Sequence, residues 1–264
     1  MTGSAGRVGA IARRHAYVFV RGAHRIFDVF VWPAVDTVIW GSIGAFVDQQ
    51  GGAARSGVSY MLSGILLMHI VYQSNVSVAT GFLEETWSRN LLNLMVTPLR
   101  EAEYLAGVAL FGLGKLAMSV AMVAVAAWGL YGFGVTAAGW GLVPVAAVLM
   151  LVGFCIALVV VGMVLRFGHG AEIFTWGLLF MVIAFSGAFY PVDALPGLLR
   201  PVALVLPSTH AFEAARTLLD GDPMPWDRLG VAVAELAVVV PLVVGFLLHM
   251  LRVFRARGYV SRYT

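Results

Sequence analysis

Apolar residues run along this chain in six long stretches, at roughly 27–46, 58–80, 104–130, 142–165, 172–190 and 229–251. Each is close to the ~20 apolar residues that cross ~30 Å of hydrocarbon at 1.5 Å per residue. The runs are continuously apolar and do not alternate at every second residue, so they predict helices and not strands. Ahead of them, residues 7–25 show a different period. Wound as a helix, Val8, Ile11, Ala12, Val18 and Phe19 fall within about 120° of one another, and Arg7, Arg14, Arg21 and Arg25 gather opposite. That pattern predicts a helix lying in the membrane interface, apolar face down and arginines toward lipid phosphates. An ordinary basic flank that only sets topology is the plainer alternative.

Two connections are longer than the rest, and long connections are where function concentrates. Residues 81–103 mix Glu84, Glu85 and Arg89 with Leu91, Leu92, Leu94 and Met95, and Pro98 is expected to stop a helix just before it. An exposed acidic and aromatic start with an apolar back suits docking of a soluble partner; a solvated hairpin is the alternative. Residues 187–228 are cut into short pieces by Pro191, Pro196, Pro201 and Pro207. From Ser208 a helix is expected, capped by Ser208 or Thr209. Phe212, Ala215, Leu218 and Leu219 share one face; His210, Glu213, Arg216 and Asp220 share the other.

Composition agrees with the pattern. Of the 264 residues 60% are hydrophobic and 12% charged, about half the ~25% charge of a soluble domain, and the mean hydropathy is +0.89. A soluble globular domain, a disordered chain and a disulfide scaffold are excluded; Cys155 is the only cysteine. The fold class is all-α, a polytopic membrane protein of six spans with an interfacial amino-terminal helix. Arginine placement orients it. Arg7, Arg13, Arg14, Arg21, Arg25, Arg89, Arg100, Arg166, Arg252, Arg255, Arg257 and Arg262 lie on one side, against Arg55, Arg200, Arg216 and Arg228 on the other. The positive-inside bias puts both termini in the cytoplasm. Lys115 is the only lysine, a bias typical of a GC-rich bacterial genome, so the plasma (inner) membrane of a bacterium is the expected location.

Ionisable groups at mid-membrane cost at least ~2.5 kcal/mol each to insert and are functional candidates. Asp36, His69 and Lys115 fall near one depth. The expectation is that Asp36 pairs with Lys115 beside His69, either lining a path or only fastening helices. Glu235 sits nearer the outer surface. Other chemistry is sparse. The run Gly107 to Leu116 has glycines before a lysine, but the spacing of a phosphate-binding loop fails and no Ser or Thr follows. His210 and Glu213 stand three apart without a third ligand, so no metal site is expected. Trp32, Trp40, Trp140 and Trp226 fall where interfacial aromatic belts belong.

The stretch Glu85-Thr-Trp-Ser-Arg-Asn-Leu-Leu-Asn-Leu-Met-Val-Thr-Pro-Leu-Arg100, followed by Glu103 and Gly107, resembles the cytoplasmic motif of type-2 ABC exporter permeases. It departs from the family pattern at Asn93 and at Arg89-Asn90. Phe189-Tyr-Pro191-Val-Asp-Ala-Leu-Pro196, then Leu206-Pro-Ser-Thr-His-Ala-Phe-Glu-Ala-Ala-Arg216, resembles that family's re-entrant segment after the fifth span. The resemblance covers the whole chain as one permease domain and is nearest the drug-resistance and nodulation-factor branch. It implies a subunit without catalysis of its own, paired with a second copy or a similar permease. Two soluble ABC ATPase subunits would bind ATP and Mg beneath it, this chain carrying no cofactor. Glu84, Glu85, Thr86, Trp87, Ser88, Arg89, Asn90, Leu91 and Leu92 would form the coupling helix. Phe189, Tyr190, Pro191, His210, Phe212 and Glu213 would form an outer gate. The implied cargo is amphipathic or hydrophobic, a drug, glycolipid or lipid-linked sugar, with export of a polysaccharide as the near alternative; membrane lipids are a partner and nucleic acid is not. A membrane-embedded enzyme using His69, His210 or Glu213, or a scaffold that binds an ATPase and moves nothing, are the readings from other classes.

Overall fold

The computed structural model describes residues 3–51, 57–87, 97–134 and 139–256, and every described regular element is helical. Helix α1 (Ser4–Val20) precedes a four-residue lead-in, Ala23–Ile26. Helix α2 (Phe27–Gln49) opens with a π-helical turn, Phe27–Val31. Pro33 explains that turn. It has no N–H to donate, and its ring would crowd the carbonyl four residues back, so the backbone widens just ahead of it. Then follow α3 (Gly57–Trp87), α4 (Glu101–Tyr131), α5 (Leu142–Phe167) and α6 (Ile173–Phe185). Short helices α7 (Arg200–Leu204) and α8 (Pro207–Leu219) lead to α9 (Trp226–Ala256), which carries Pro241 inside.

Helix α3 is the axis of the bundle. Of its apolar window 89% is buried, against 17% for α9, and α2, α4 and α5 all pack on it. Leu62, Ile65, Leu66, Val71, Val145 and Leu149 are core residues shared between α3 and α5. The outer helices turn Val38, Val125, Phe180 and Leu242 outward, as expected where lipid and not water is the solvent.

Among the described residues five helices are long and apolar enough to cross a membrane; the fifth expected span, 172–190, is not one of them. Helix α6 has 13 residues, so it rises only ~20 Å at 1.5 Å per residue. It ends because Gly187, at φ +67°, turns the chain where an L side chain would be strained. Ser186 anchors that turn, its hydroxyl bonded to the Val182 carbonyl at 2.5 Å and to Ser208 Oγ. The short pieces from 192 to 219 follow it.

Candidate functional site

Helix α1 and the lead-in after it are clasped to the bundle by three arginine–carboxylate pairs. Arg7 donates from Nε and Nη2 to Glu103 at 2.8 and 2.6 Å. Arg14 meets Glu85 at 2.5 Å, and Arg25 donates from Nε and Nη2 to Glu84 Oε1 at 3.2 and 2.9 Å. Two expectations need correction here. Arg7 and Arg14 on α1 and Arg25 on the lead-in face carboxylates and not lipid phosphates. Glu84 and Glu85 are not an outward-facing start of a separate helix: α3 simply continues through them, and Glu85 is 3% exposed. The side chains of Thr86 and Trp87, and all of Ser88, Arg89, Asn90, Leu91 and Leu92, lie outside the described residues.

Two further parts of the quoted motif have visible reasons. Glu103 accepts the Arg100 backbone N–H at 3.0 Å, capping α4 as it holds Arg7. At Gly107 a Cβ would lie 2.6 Å from Ile11 Cβ and 2.9 Å from the Val8 carbonyl oxygen. Only hydrogen lets α1 lie this close. Beneath α1, Ile11, His15 and Phe19 are buried. His15 stacks on Phe111 at 5.8 Å and meets Tyr104 edge-on; burial lowers its pKa below 6.5, against the nearby Glu85 charge. The imidazole is therefore held neutral.

Within the bundle the charge partners differ from those expected. Lys115 Nζ reaches Asp28 at 3.5 Å, not Asp36. Asp28 also accepts the Tyr72 hydroxyl at 2.5 Å. Asp36 lies 3.3 Å from His69 Nε2, and Ser119 Oγ lies 3.5 Å from His69 Nδ1. The reason is reach: a helical side chain leans toward the helix N-terminus, and a lysine stem carries its charge several ångströms along the axis. Lys115 thus leans toward the α1 end, where Asp28 waits on the π turn. Asp28 and Tyr72 were missed by counting only charges deep within apolar runs; Asp28, eight residues before Asp36, was the available signal.

At the opposite end, Phe189 stacks flat on Trp40, centroids 3.9 Å apart, so Trp40 is more than a belt residue. Tyr190 donates its hydroxyl to the Ala184 carbonyl, Pro191 leads into the turn Val192–Ala194, and Phe212 is fully buried. His210 faces Glu235 at 3.5 Å, and Glu213 takes Arg228, so the two do not converge on one another. Two details of α8 differ from expectation. Pro207 is its first residue, and Ser208 and Thr209 are buried inside it, Thr209 bonding the Ala203 carbonyl at 2.6 Å. Arg216 faces inward, donating to the carbonyls of Gly187 and Ala188 at 2.8 and 2.5 Å with its guanidinium 3.8 Å above the Tyr60 ring. A flat guanidinium can bury against a ring, which a polar-face assignment overlooks.

Between α1 and α6, a cavity of ≈ 300 Å³ opens beside the Arg25–Glu84 and Lys115–Asp28 pairs, with Glu172 and Trp176 on its α6 side. Among the described residues no three His, Cys, Asp or Glu side chains converge as metal ligands.

An all-helical bundle in which, among the described residues, five helices are long and apolar enough to cross a membrane defines a multi-pass membrane protein. The family model for ABC-2 type transporters matches residues 10–219. The chain belongs to that family, as the transmembrane subunit of an ABC transporter, in which the membrane subunit moves cargo and an ATPase partner supplies the catalysis. No curated protein matches the chain.

Proposed function

We propose that the chain is the membrane subunit of an exporter of the drug-resistance and nodulation-factor type, carrying an amphipathic cargo out of the cytoplasm or its inner leaflet. It works with a second copy of itself or a similar permease, above two soluble ATPase subunits that bind ATP and Mg. Both termini are cytoplasmic in this reading, in a bacterial inner membrane. The observation that carries it is the clasp. Glu84 and Glu85 at the end of α3 and Glu103 at the start of α4 flank residues 88–96 in sequence; Glu85 and Glu103 hold α1, and Glu84 holds the lead-in after it. A push on the 88–96 segment is therefore delivered to two spans and the interfacial helix together, the differential contact between two states that a power stroke requires. The apolar and aromatic outer surface of α6, with Trp176 and Phe180, suits a cargo that arrives through lipid.

The test is reconstitution with an ABC ATPase encoded beside the chain. Cargo-stimulated ATP hydrolysis across a panel of drugs and lipids, lost when Arg89, Leu91 and Leu92 are replaced together, is the expected result. An ATPase that binds the chain and is stimulated by no cargo would leave a scaffold as the better reading. Turnover of a lipid by the isolated chain would point to an enzyme.

A further inference from the structure

The cavity between α1 and α6 has more hydrogen-bonding capacity than the chain itself uses. His15, Ser77 and Thr175 are 7%, 6% and 3% exposed and line it. His15 Nε2, Ser77 Oγ and Thr175 Oγ1 are buried and have no hydrogen-bond partner. Three such atoms belong to residues that line the cavity, and an unmatched buried polar group is costly.

Charge narrows its chemistry. Arg25 is committed to Glu84 through two bonds, and Lys115 to Asp28. His15 is neutral and can present a lone pair. Glu172 also lines the cavity and has no cationic partner among the described residues. Both cations are thus compensated and one carboxylate is left over. An anionic headgroup would meet that carboxylate; an ammonium group would neutralise it and bring donors that the unmatched acceptors lack.

Shape says where the rest of the ligand goes. A volume of ≈ 300 Å³ is at the small end of ligand pockets, enough for a headgroup and the first ring or carbons of an amphiphile. From inside the cavity, Tyr72 contacts Trp176 at 5.7 Å between centroids, and Trp176 stacks with Phe180 at 6.4 Å. Trp176 is 45% and Phe180 62% exposed on the bilayer side of α6. This is an aromatic track from the cavity to the lipid-facing surface, and its ring faces attract cations as well as apolar bodies.

We propose that this cavity is the headgroup site for a cationic amphiphile, its ammonium seated among Glu172, His15, Ser77 and Thr175 and its apolar body lying along Trp176 and Phe180. The proposal rests on the transport reading above and names its cargo class, a protonated amine.

The test uses the full chain in phosphatidylcholine nanodiscs with three probes that share one label and chain length and differ only in headgroup: 11-(dansylamino)undecylamine, the corresponding alcohol and the corresponding acid. Dansyl emission above that of empty nanodiscs reads binding. The amine should bind about tenfold or more tightly than the alcohol and the acid, and Glu172→Gln should remove about that factor from the amine alone. Thr175→Val and Ser77→Ala, which retain the carboxylate, should each weaken the amine several-fold and so provide readings independent of whether Glu172→Gln folds. Asp227→Asn, the same charge change on exposed residues of α9, should alter nothing. Equal binding of the three probes, preference for the acid, or an amine preference that survives Glu172→Gln in folded protein each overturns the proposal. The two readings fail separately: ATPase coupling with another cargo and no amine binding rejects the headgroup site alone, whereas amine binding by a chain that engages no ATPase rejects the exporter.

Discussion

Replacing Gly107 by alanine should loosen α1 without unfolding the bundle. The new methyl carbon would stand 2.6 Å from Ile11 Cβ and 2.9 Å from the Val8 carbonyl oxygen. Neither is the end of a flexible side chain. Carbon atoms prefer separations of about 3.5–4 Å, so α1 must retreat by roughly 1 Å along most of its contact with α4. Overpacking of this kind costs about 1–3 kcal/mol, and the whole cost falls on docking of α1, since α4 itself gains helix propensity. When opening is fast compared with cleavage, proteolysis follows the open population, so 1–3 kcal/mol corresponds to about 5- to 150-fold faster cutting. The assay is limited trypsin digestion in nanodiscs, with cleavage after Arg13 followed by mass spectrometry. Gly114→Ala is the matched control, because a Cβ there meets nothing within 4 Å and brings the same propensity gain. Equal cleavage in wild type and Gly107→Ala, or equal acceleration by Gly114→Ala, refutes the close seating of α1 on α4.

The α1 seat should also depend on pH. Burial lowers the His15 pKa while a released imidazole titrates near 6.5, so below that value the detached state binds more protons and docking weakens; above it the seat is at full strength. Hydrogen exchange of α1, corrected for intrinsic rates, should show protection rising from pH 5.5 to 7.5, and His15→Phe should flatten the rise. A double-mutant cycle of Lys115→Met with Asp28→Asn, read by denaturation in mixed micelles, should give a coupling of about 0.5–3 kcal/mol, whereas Lys115→Met with Asp36→Asn should be additive. Arg216→Lys lacks the flat fork that reaches the Gly187 and Ala188 carbonyls while lying on Tyr60 and should lose roughly 1.5–3 kcal/mol for one charged hydrogen bond, seen as faster hydrogen exchange in α8.

Most of the architecture was legible because spans obey a single length rule. Lipid cannot satisfy backbone groups, so about 20 apolar residues must become a helix. The rule fails at α6, where 172–190 is apolar enough but Ser186 and Gly187 turn the chain after 13 helical residues; hydropathy averages over a turn that one glycine decides. Pairing was less legible. Asp36, His69 and Lys115 share a depth when counted along helix axes, yet the charge of Lys115 lies a stem's length from its Cα and meets Asp28. The wheel of α1 assigned its faces well enough to bury Ile11 and Phe19, but a wheel names no partner. Arg7, Arg14 and Arg25 and the acids Glu84, Glu85 and Glu103 were all visible as opposite charges on the same side of the membrane. What their positions in sequence lacked was the approach of α1 to α4 that brings them within hydrogen-bond reach.

That approach changes how force from an ATPase would enter the protein on the proposed mechanism. A carboxylate that contacts a soluble partner must reach water, and Glu85 at 3% exposure does not. On that mechanism Glu85 therefore transmits inward. If the segment moves the end of α3 relative to the start of α4, Glu84 and Glu85 shift against Glu103, and α1 cannot follow both sides. Its arginines are partly exposed, and ion pairs of that kind are individually weak, so some can open and re-form in each cycle while Ile11 and Phe19 keep the helix in the interface. The cavity behind α1 shares Arg25 and Glu84 with the clasp. Opening the clasp at that pair would free a guanidinium in the cavity that Glu172 also lines, a cation that would compete with a bound amine for the carboxylate. On the proposed mechanism that one ion pair would answer to the ATPase and also set the affinity of the cavity, so a single exchange of partners would couple the power stroke to release.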